Sequence, residues 1–177
     1  MYHRLSHRRH AARQHGFTII ELMVTLVVAA ILLAIAIPSF TYLTVSNKLS
    51  ASANSLVNNL MMARAEAVKR NTDVNVCATS TCAVVPANAT TIQTGITGIQ
   101  PGVIDIQNVK ALSFRAQGLA TPGTATTAPY TGLVADIYTS QISSNTHRCI
   151  YLTAGSVVST CTDNANCATG GPSASCK

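Results

Sequence analysis

FTIIELMVTLVVAAILLAIAI, Phe17 to Ile37, is a run of 21 residues whose only polar members are Thr18, Glu21 and Thr25. At about 1.5 Å per residue such a run spans about 30 Å as a helix, the depth of a bilayer's hydrocarbon core. The sixteen residues before it hold Arg4, Arg8, Arg9 and Arg13, no Asp or Glu, and four of the chain's five histidines. A basic flank stays cytoplasmic, so residues after Ile37 are expected on the far side of an inner membrane. That compartment is oxidising, and six cysteines suit it.

The chain's 177 residues leave room for one domain with an appendage. Its formal net charge of +6 points to nucleic acid or a membrane surface only until the charges are located. Four of the twelve cations lie in the first sixteen residues, and the remaining eight face six acids, leaving about +2. With 47% hydrophobic and 10% charged residues, the chain is too apolar for a disordered polymer.

An ordinary secretory signal also has a basic start, and Ala34-Ile35-Ala36 offers it a cleavage site. Two features count against that reading. The apolar run exceeds the usual span of roughly 7 to 15 residues. It also holds an acid, Glu21, which costs roughly 2.5–3.5 kcal/mol at the centre of a membrane helix and therefore asks for a partner.

Gly16-Phe17-Thr18-Ile19-Ile20-Glu21-Leu22, followed by the apolar run and Pro38, resembles the class III signal of type IV pilins and type II secretion pseudopilins. The resemblance implies that a prepilin peptidase cuts between Gly16 and Phe17, that the Phe17 amine is methylated, and that Glu21 serves assembly. It places Pro38 at the membrane exit, as a helix-kinking proline. The physics agrees with an assembly role for Glu21. A carboxylate in lipid is stabilised by a neighbour's ammonium group, so an incoming subunit gains most when it sits one step out of register.

From Ser46 to Asn71, Leu49, Ala53, Leu56, Leu60, Ala63 and Ala67 recur in steps of four and three, one apolar stripe of a helix. Lys48, Ser52, Ser55, Asn59, Glu66 and Arg70 lie largely off that stripe, and Asn71 is a C-cap candidate. Joined to the membrane run, this predicts a helix of about fifty-five residues whose second half packs on a head and whose first half protrudes. Alternating runs then predict strands at 73–78, 102–107, 109–115, 133–139, 148–153 and 156–161. The polar stretches 79–101 and 116–132 are expected to be loops of surface variation. The expected fold is thus α+β, a long N-terminal helix on a small antiparallel β head. The expected parts are a cleaved leader (1–16), a transmembrane and assembly helix (17–45) and a periplasmic or extracellular head (46–177).

Leu60-Met61-Met62-Ala63-Arg64-Ala65-Glu66-Ala67-Val68-Lys69-Arg70-Asn71, then Val74-Asn75-Val76-Cys77, is similar to the stretch closing the long helix in GspH/FimT-type minor pilins and pseudopilins. It implies a pilin-like head of two small sheets. It further implies a minor type IV pilin that primes a pilus at its tip, or a GspH-class pseudopilin of type II secretion. The partners so implied are the prepilin peptidase, other minor and major pilins or pseudopilins, and the inner membrane before assembly.

Six cysteines allow fifteen pairings. Proximity suggests Cys77 with Cys82, Cys149 with Cys161, and Cys167 with Cys176. The second pair requires a three-residue connection or a bulge at Ala154-Gly155, since a two-residue turn sets 149 opposite 160. Metal ligation is not expected, because no C-x-x-C pair is present.

No catalytic constellation or cofactor motif is found. His147 is the single histidine beyond the leader, and Asp73, Asp105, Asp136 and Asp163 are dispersed. Enzyme activity is therefore not expected. Some FimT-type minor pilins bind DNA in natural transformation through a C-terminal Gly-Arg-x-Arg motif. The nearest stretch here is Gly155-Ser156-Val157-Val158, without either arginine. Arg148 and Lys177 are the nearest cations and Tyr130, Tyr138 and Tyr151 the stacking candidates, too little for a phosphate footprint, so DNA is a disfavoured partner.

Overall fold

The computed structural model describes residues 16–77, 82–87, 90–123 and 128–172; the leader up to residue 15, Cys176 and Lys177 lie outside the described residues. Helix α1, Ile19–Arg70, starts where Thr18 accepts the Glu21 N–H on its side-chain oxygen at 3.2 Å. Thr18-x-x-Glu21 is the spacing of a capping box. It ends where Asn71 turns left-handed (φ 51°). The Thr72 N–H then reaches the Ala67 carbonyl at 3.2 Å and the Asn71 N–H the Val68 carbonyl at 3.4 Å, the two bonds of a Schellman closure.

The chain divides into two units at Ser39 and Phe40. In the first, the helix is apolar on every side and exposed throughout its apolar run, long and apolar enough to cross a membrane. Pro38 lies within the helix.

The second unit opens on the rest of α1, from Phe40. Val45, Leu49, Ala53, Leu56, Leu60, Ala63 and Ala67 are buried, so the expected stripe is the core face. Two residues depart from expectation. Ser52 and Asn59 are buried as well, because the stretch around 92–99, expected to be surface variation, docks on that flank. The Thr97 N–H bonds to Ser55 Oγ at 3.0 Å, and Ile92, Ile96 and Ile99 pack against the core. Asn59 Nδ2 donates to the Cys82 carbonyl at 3.3 Å. Gly98 (φ 89°) fits there because a Cβ would stand 2.7 Å from Ser52 Oγ.

Two antiparallel four-stranded sheets complete the core among the described residues. One is ordered β2-β1-β4-β5, from β1 (Val74–Val76), β2 (Val84–Pro86), β4 (Leu112–Phe114) and β5 (Ala120–Pro122). The other is ordered β3-β6-β7-β8, from β3 (Asp105–Gln107), β6 (Gly132–Tyr138), β7 (His147–Thr153) and β8 (Val157–Asp163). β2 and β5 lie inside the two segments expected to be loops. Each is three residues ending in proline, too short for alternation to register and placed on a sheet edge, where a missing N–H does no harm.

A register shift in β6 between Leu133 and Ala135 turns both Val134 and Ala135 into the core. It leaves Leu133 on the opposite face, clustered with Cys149, Tyr151 and Cys167. The segment after β8 folds back over that outer face. Tyr151 Oη donates to the Ala168 carbonyl at 2.9 Å, and the Leu133 N–H to the Thr169 carbonyl at 3.2 Å.

This fold-back decides the cysteines. Cys77 and Cys82 form a disulfide. The expected Cys149–Cys161 and Cys167–Cys176 bonds are corrected: Cys149 pairs with Cys167, while Cys161 is disulfide-bonded and its other candidate, Cys176, lies outside the described residues. The three-residue connection Ala154 to Ser156 does set Cys149 opposite Cys161. Register alone did not choose the bond, because the returning segment delivers Cys167 to the same buried side of β7.

Candidate functional site

The feature of the first unit that demands an explanation is its surface. Phe17 and Ile19 are each 82% exposed, and no residue between them and Ile37 is buried. An all-round apolar helix is stable only against lipid or other apolar helices. Glu21 is the one charge in this stretch and stands in the first helical turn, where the positive end of the helix dipole favours an anion. Gly16 is exposed, and a Cβ built there meets nothing within 4 Å. Nothing among the described residues therefore requires glycine at 16.

In the head, Arg148 is half-buried against α1 rather than free at the surface. Its Nε donates to Ser50 Oγ at 3.3 Å, one terminal nitrogen to Ser46 Oγ at 3.3 Å and the other to the Asn145 carbonyl at 2.7 Å. Loss of water pushes its pKa down, against a smaller upward pull from Tyr42. Arg64 donates to the Ser156 carbonyl, Arg115 pairs with Asp73 at 2.7 Å, and Lys69 and Arg70 share Glu66. Most described cations of the head are thus committed internally.

The stacking candidates are committed too. Tyr130 donates to the Leu133 carbonyl at 2.6 Å and Tyr151 to Ala168, while Tyr138 stacks on His147 at 5.5 Å and 14°. Gly155 occupies the β7–β8 turn (φ 66°), where a Cβ would stand 2.8 Å from the Ala120 carbonyl oxygen.

One constellation escaped the sequence reading. Asp136, fully buried, accepts from His147 Nδ1 at 2.8 Å, from Gln107 Nε2 at 2.9 Å and from the Cys167 N–H at 3.2 Å. His147 and Asp136 lie eleven residues apart, and the β6–β7 register makes them diagonal neighbours. No spacing rule flags that. Asp136, Cys149 and Cys167 are also close enough to suggest a metal. Both sulfurs, however, are consumed in the disulfide and the carboxylate is taken by three donors. The group is a latch that holds the segment after β8 on the sheet.

A family model described as Type II transport protein GspH matches residues 52–165. A model of the prokaryotic N-terminal methylation motif matches residues 11–37. No curated protein and no solved structure matches.

Proposed function

Because the chain belongs to the Type II transport protein GspH family, whose model covers well over half of it, and carries the N-terminal methylation motif, we propose that it is a minor type IV pilin. It is anchored in the inner membrane by residues 17–45, with the head on the periplasmic side. Prepilin peptidase cuts after Gly16, and the new Phe17 amine is methylated. The subunit then joins other pilins through its helix, in or near the tip of a pilus. Its role is structural.

The observation that carries this reading is the fully exposed apolar helix with Glu21 in its first turn. In lipid, a neighbour's amine compensates that carboxylate best when subunits are offset by one step, which makes assembly self-registering. Pro38, which has no N–H to donate, lies where the helix leaves the bilayer in this arrangement.

The family description favours a second machine, type II secretion, with the chain as its GspH-class pseudopilin. Deletion of the gene separates the two: loss of surface pili with intact secretion supports the pilus, and the reverse supports the secretion apparatus. A third outcome, loss of transformation alone, would revive DNA as partner. The engagement of Arg148 with α1 argues against it, and Lys177 adds a single cation. Duplex binding by the mature chain at about 50 mM salt, falling steeply as salt rises, would overturn that judgement.

A further inference from the structure

Helix α1 carries Asn54 and Asn58 one turn apart, and both are exposed. Asparagine is a weak helix former, because its side chain competes for nearby backbone groups. Neither carboxamide, nor that of half-buried Gln93, has a hydrogen-bond partner among the described residues, whereas neighbouring Asn59 is buried and spent on the Cys82 carbonyl. The three unpartnered carboxamides line one groove of about 470 Å³ between α1 and the segment 92–97. Its far wall is pinned at both ends. Ser55 Oγ accepts from the Thr97 N–H at 3.0 Å and the Thr97 hydroxyl at 3.2 Å, and the Val84 N–H bonds to the Gln93 carbonyl at 2.9 Å.

The lining selects by exclusion. Among the described residues no cation lines the groove to hold a phosphate or carboxylate, no acid to hold a cation, and no aromatic ring on which a sugar or base would stack. What it offers is amide. Each carboxamide presents an acceptor and a two-hydrogen donor, the complement of a peptide's own N–H and C=O. Spacing along the helix narrows this further. Positions 54 and 58 stand about 6 Å apart along the helix axis. In an extended chain the N–H and C=O of one residue point to the same side, and the next such pair on that side comes about 6.6–6.8 Å further on. From Ala51 to Met62 the groove follows about 16 Å of helix, the length of about five extended residues.

We infer that this groove binds an extended, uncharged peptide segment of a different pilin through its main chain, with Asn54 and Asn58 each clamping the N–H and C=O of alternate residues and Gln93 closing from the opposite wall. An uncharged groove strips no charge from such a segment, and main-chain recognition leaves its side chains free to vary. A second copy of this chain is the poorer occupant. Its uncharged stretches around Ile96 and Leu133 are already built into the core and the sheet. The inference rests on the assembly reading above and deepens it by naming a surface and the chemistry of its occupant.

Two arms test it on the full mature chain. In sheared filaments, a photo-crosslinker at Met62 should attach to an uncharged stretch of another pilin. Asn54→Ala combined with Asn58→Ala should lower that yield by at least about tenfold, the worth of about two lost hydrogen bonds. The same double variant should melt no lower than the parent, because alanine is the better helix former at an exposed position. In detergent micelles, the probe peptide acetyl-Thr-Val-Thr-Val-Thr-amide should shift the side-chain amide resonances of Asn54 and Asn58, and the same peptide N-methylated at every residue should not. Adducts confined to lipid or detergent, to a charged stretch or to a second copy of this chain overturn the inference, as does an undiminished yield from the double variant. Resonances that ignore the probe, or that respond equally to its methylated form, overturn main-chain recognition. If the chain never enters the filament fraction, the assembly reading fails and takes the pilin partner with it, while the micelle arm still decides what the groove holds.

Discussion

Replacing Asp136 with alanine removes the carboxylate at the centre of the latch, and the geometry sets the cost. Gln107 keeps the Asn166 side-chain oxygen at 3.1 Å, so its loss is small. His147 Nδ1 and the Cys167 N–H are left buried without an acceptor, at about 1–3 kcal/mol each. Because the Cys149–Cys167 bond holds the segment in place, the orphaned N–H cannot swing out to water. The expected loss is therefore about 2–6 kcal/mol. Asp136→Asn retains one acceptor oxygen, and its amide can donate to the other histidine tautomer, so it should cost roughly half as much. At about 2–8 °C of melting temperature per kcal/mol for domains of this size, alanine should lower Tm by at least about 4 °C. Thermal unfolding of the mature chain in detergent, followed by near-ultraviolet tyrosine signals, measures both variants. An alanine variant within about 2 °C of the parent, or an asparagine variant that costs as much as alanine, would refute the latch.

Glu21→Gln keeps the helix start and should leave the head's melting unchanged, yet reduce recovery in pili by about a hundredfold or more, the loss expected when a buried charge pair loses one partner at about 3–5 kcal/mol; wild-type recovery by quantitative blotting would remove Glu21 from assembly. A Cβ at position 16 meets nothing within 4 Å among the described residues, yet Gly16→Val should block processing, so an unchanged mature mass by mass spectrometry would assign the cut to another peptidase. Ser52 Oγ is buried without a partner among the described residues, so Ser52→Ala should be neutral or stabilising by up to about 1 kcal/mol. Gly98→Ala should destabilise by about 1–3 kcal/mol, and the Ser52→Ala background should relieve the steric share only, with urea unfolding as the readout. The Arg70 hydrogen bond, opposed by desolvation and helped by Lys69, holds the Glu66 pKa below its ordinary value. Its contribution is then present above the unfolded-state pKa and lost as pH falls through the folded one. Glu66→Gln should therefore narrow the difference in Tm between pH 7 and pH 3, and an unaltered difference would remove the pair from the stability balance.

Much of this was legible because the relevant signals are local. The stripe from Leu49 to Ala67 survives as the core face, and Asn71 ends the helix with both bonds of a Schellman closure. Illegible features depend on what the chain meets after a return. Ser52 and Asn59 look like solvent positions until the loop with Gly98 covers them. Asp136 reads as a lone surface acid until a one-residue shift in β6 and the returning Cys167 enclose it. Nearest-neighbour pairing failed for Cys149 for the same reason. Short edge strands ending in Pro86 and Pro122 carry too little pattern to outvote their polar surroundings. The N-terminal methylation motif was readable because a linear signal carries it. The buried latch around Asp136 was not.

The Cys149–Cys167 bond has a mechanical meaning. It closes 18 residues of backbone, the whole of β8 and its turn included, into a covalent ring. Fully extended, that length is about 60 Å. A subunit loaded in tension between its helix and anything beyond Cys167 cannot pay out this slack, because the pull bypasses the ring through the sulfur bridge. Under load, β8 and its turn would keep their shape, and reduction would turn the same stretch into a shock absorber.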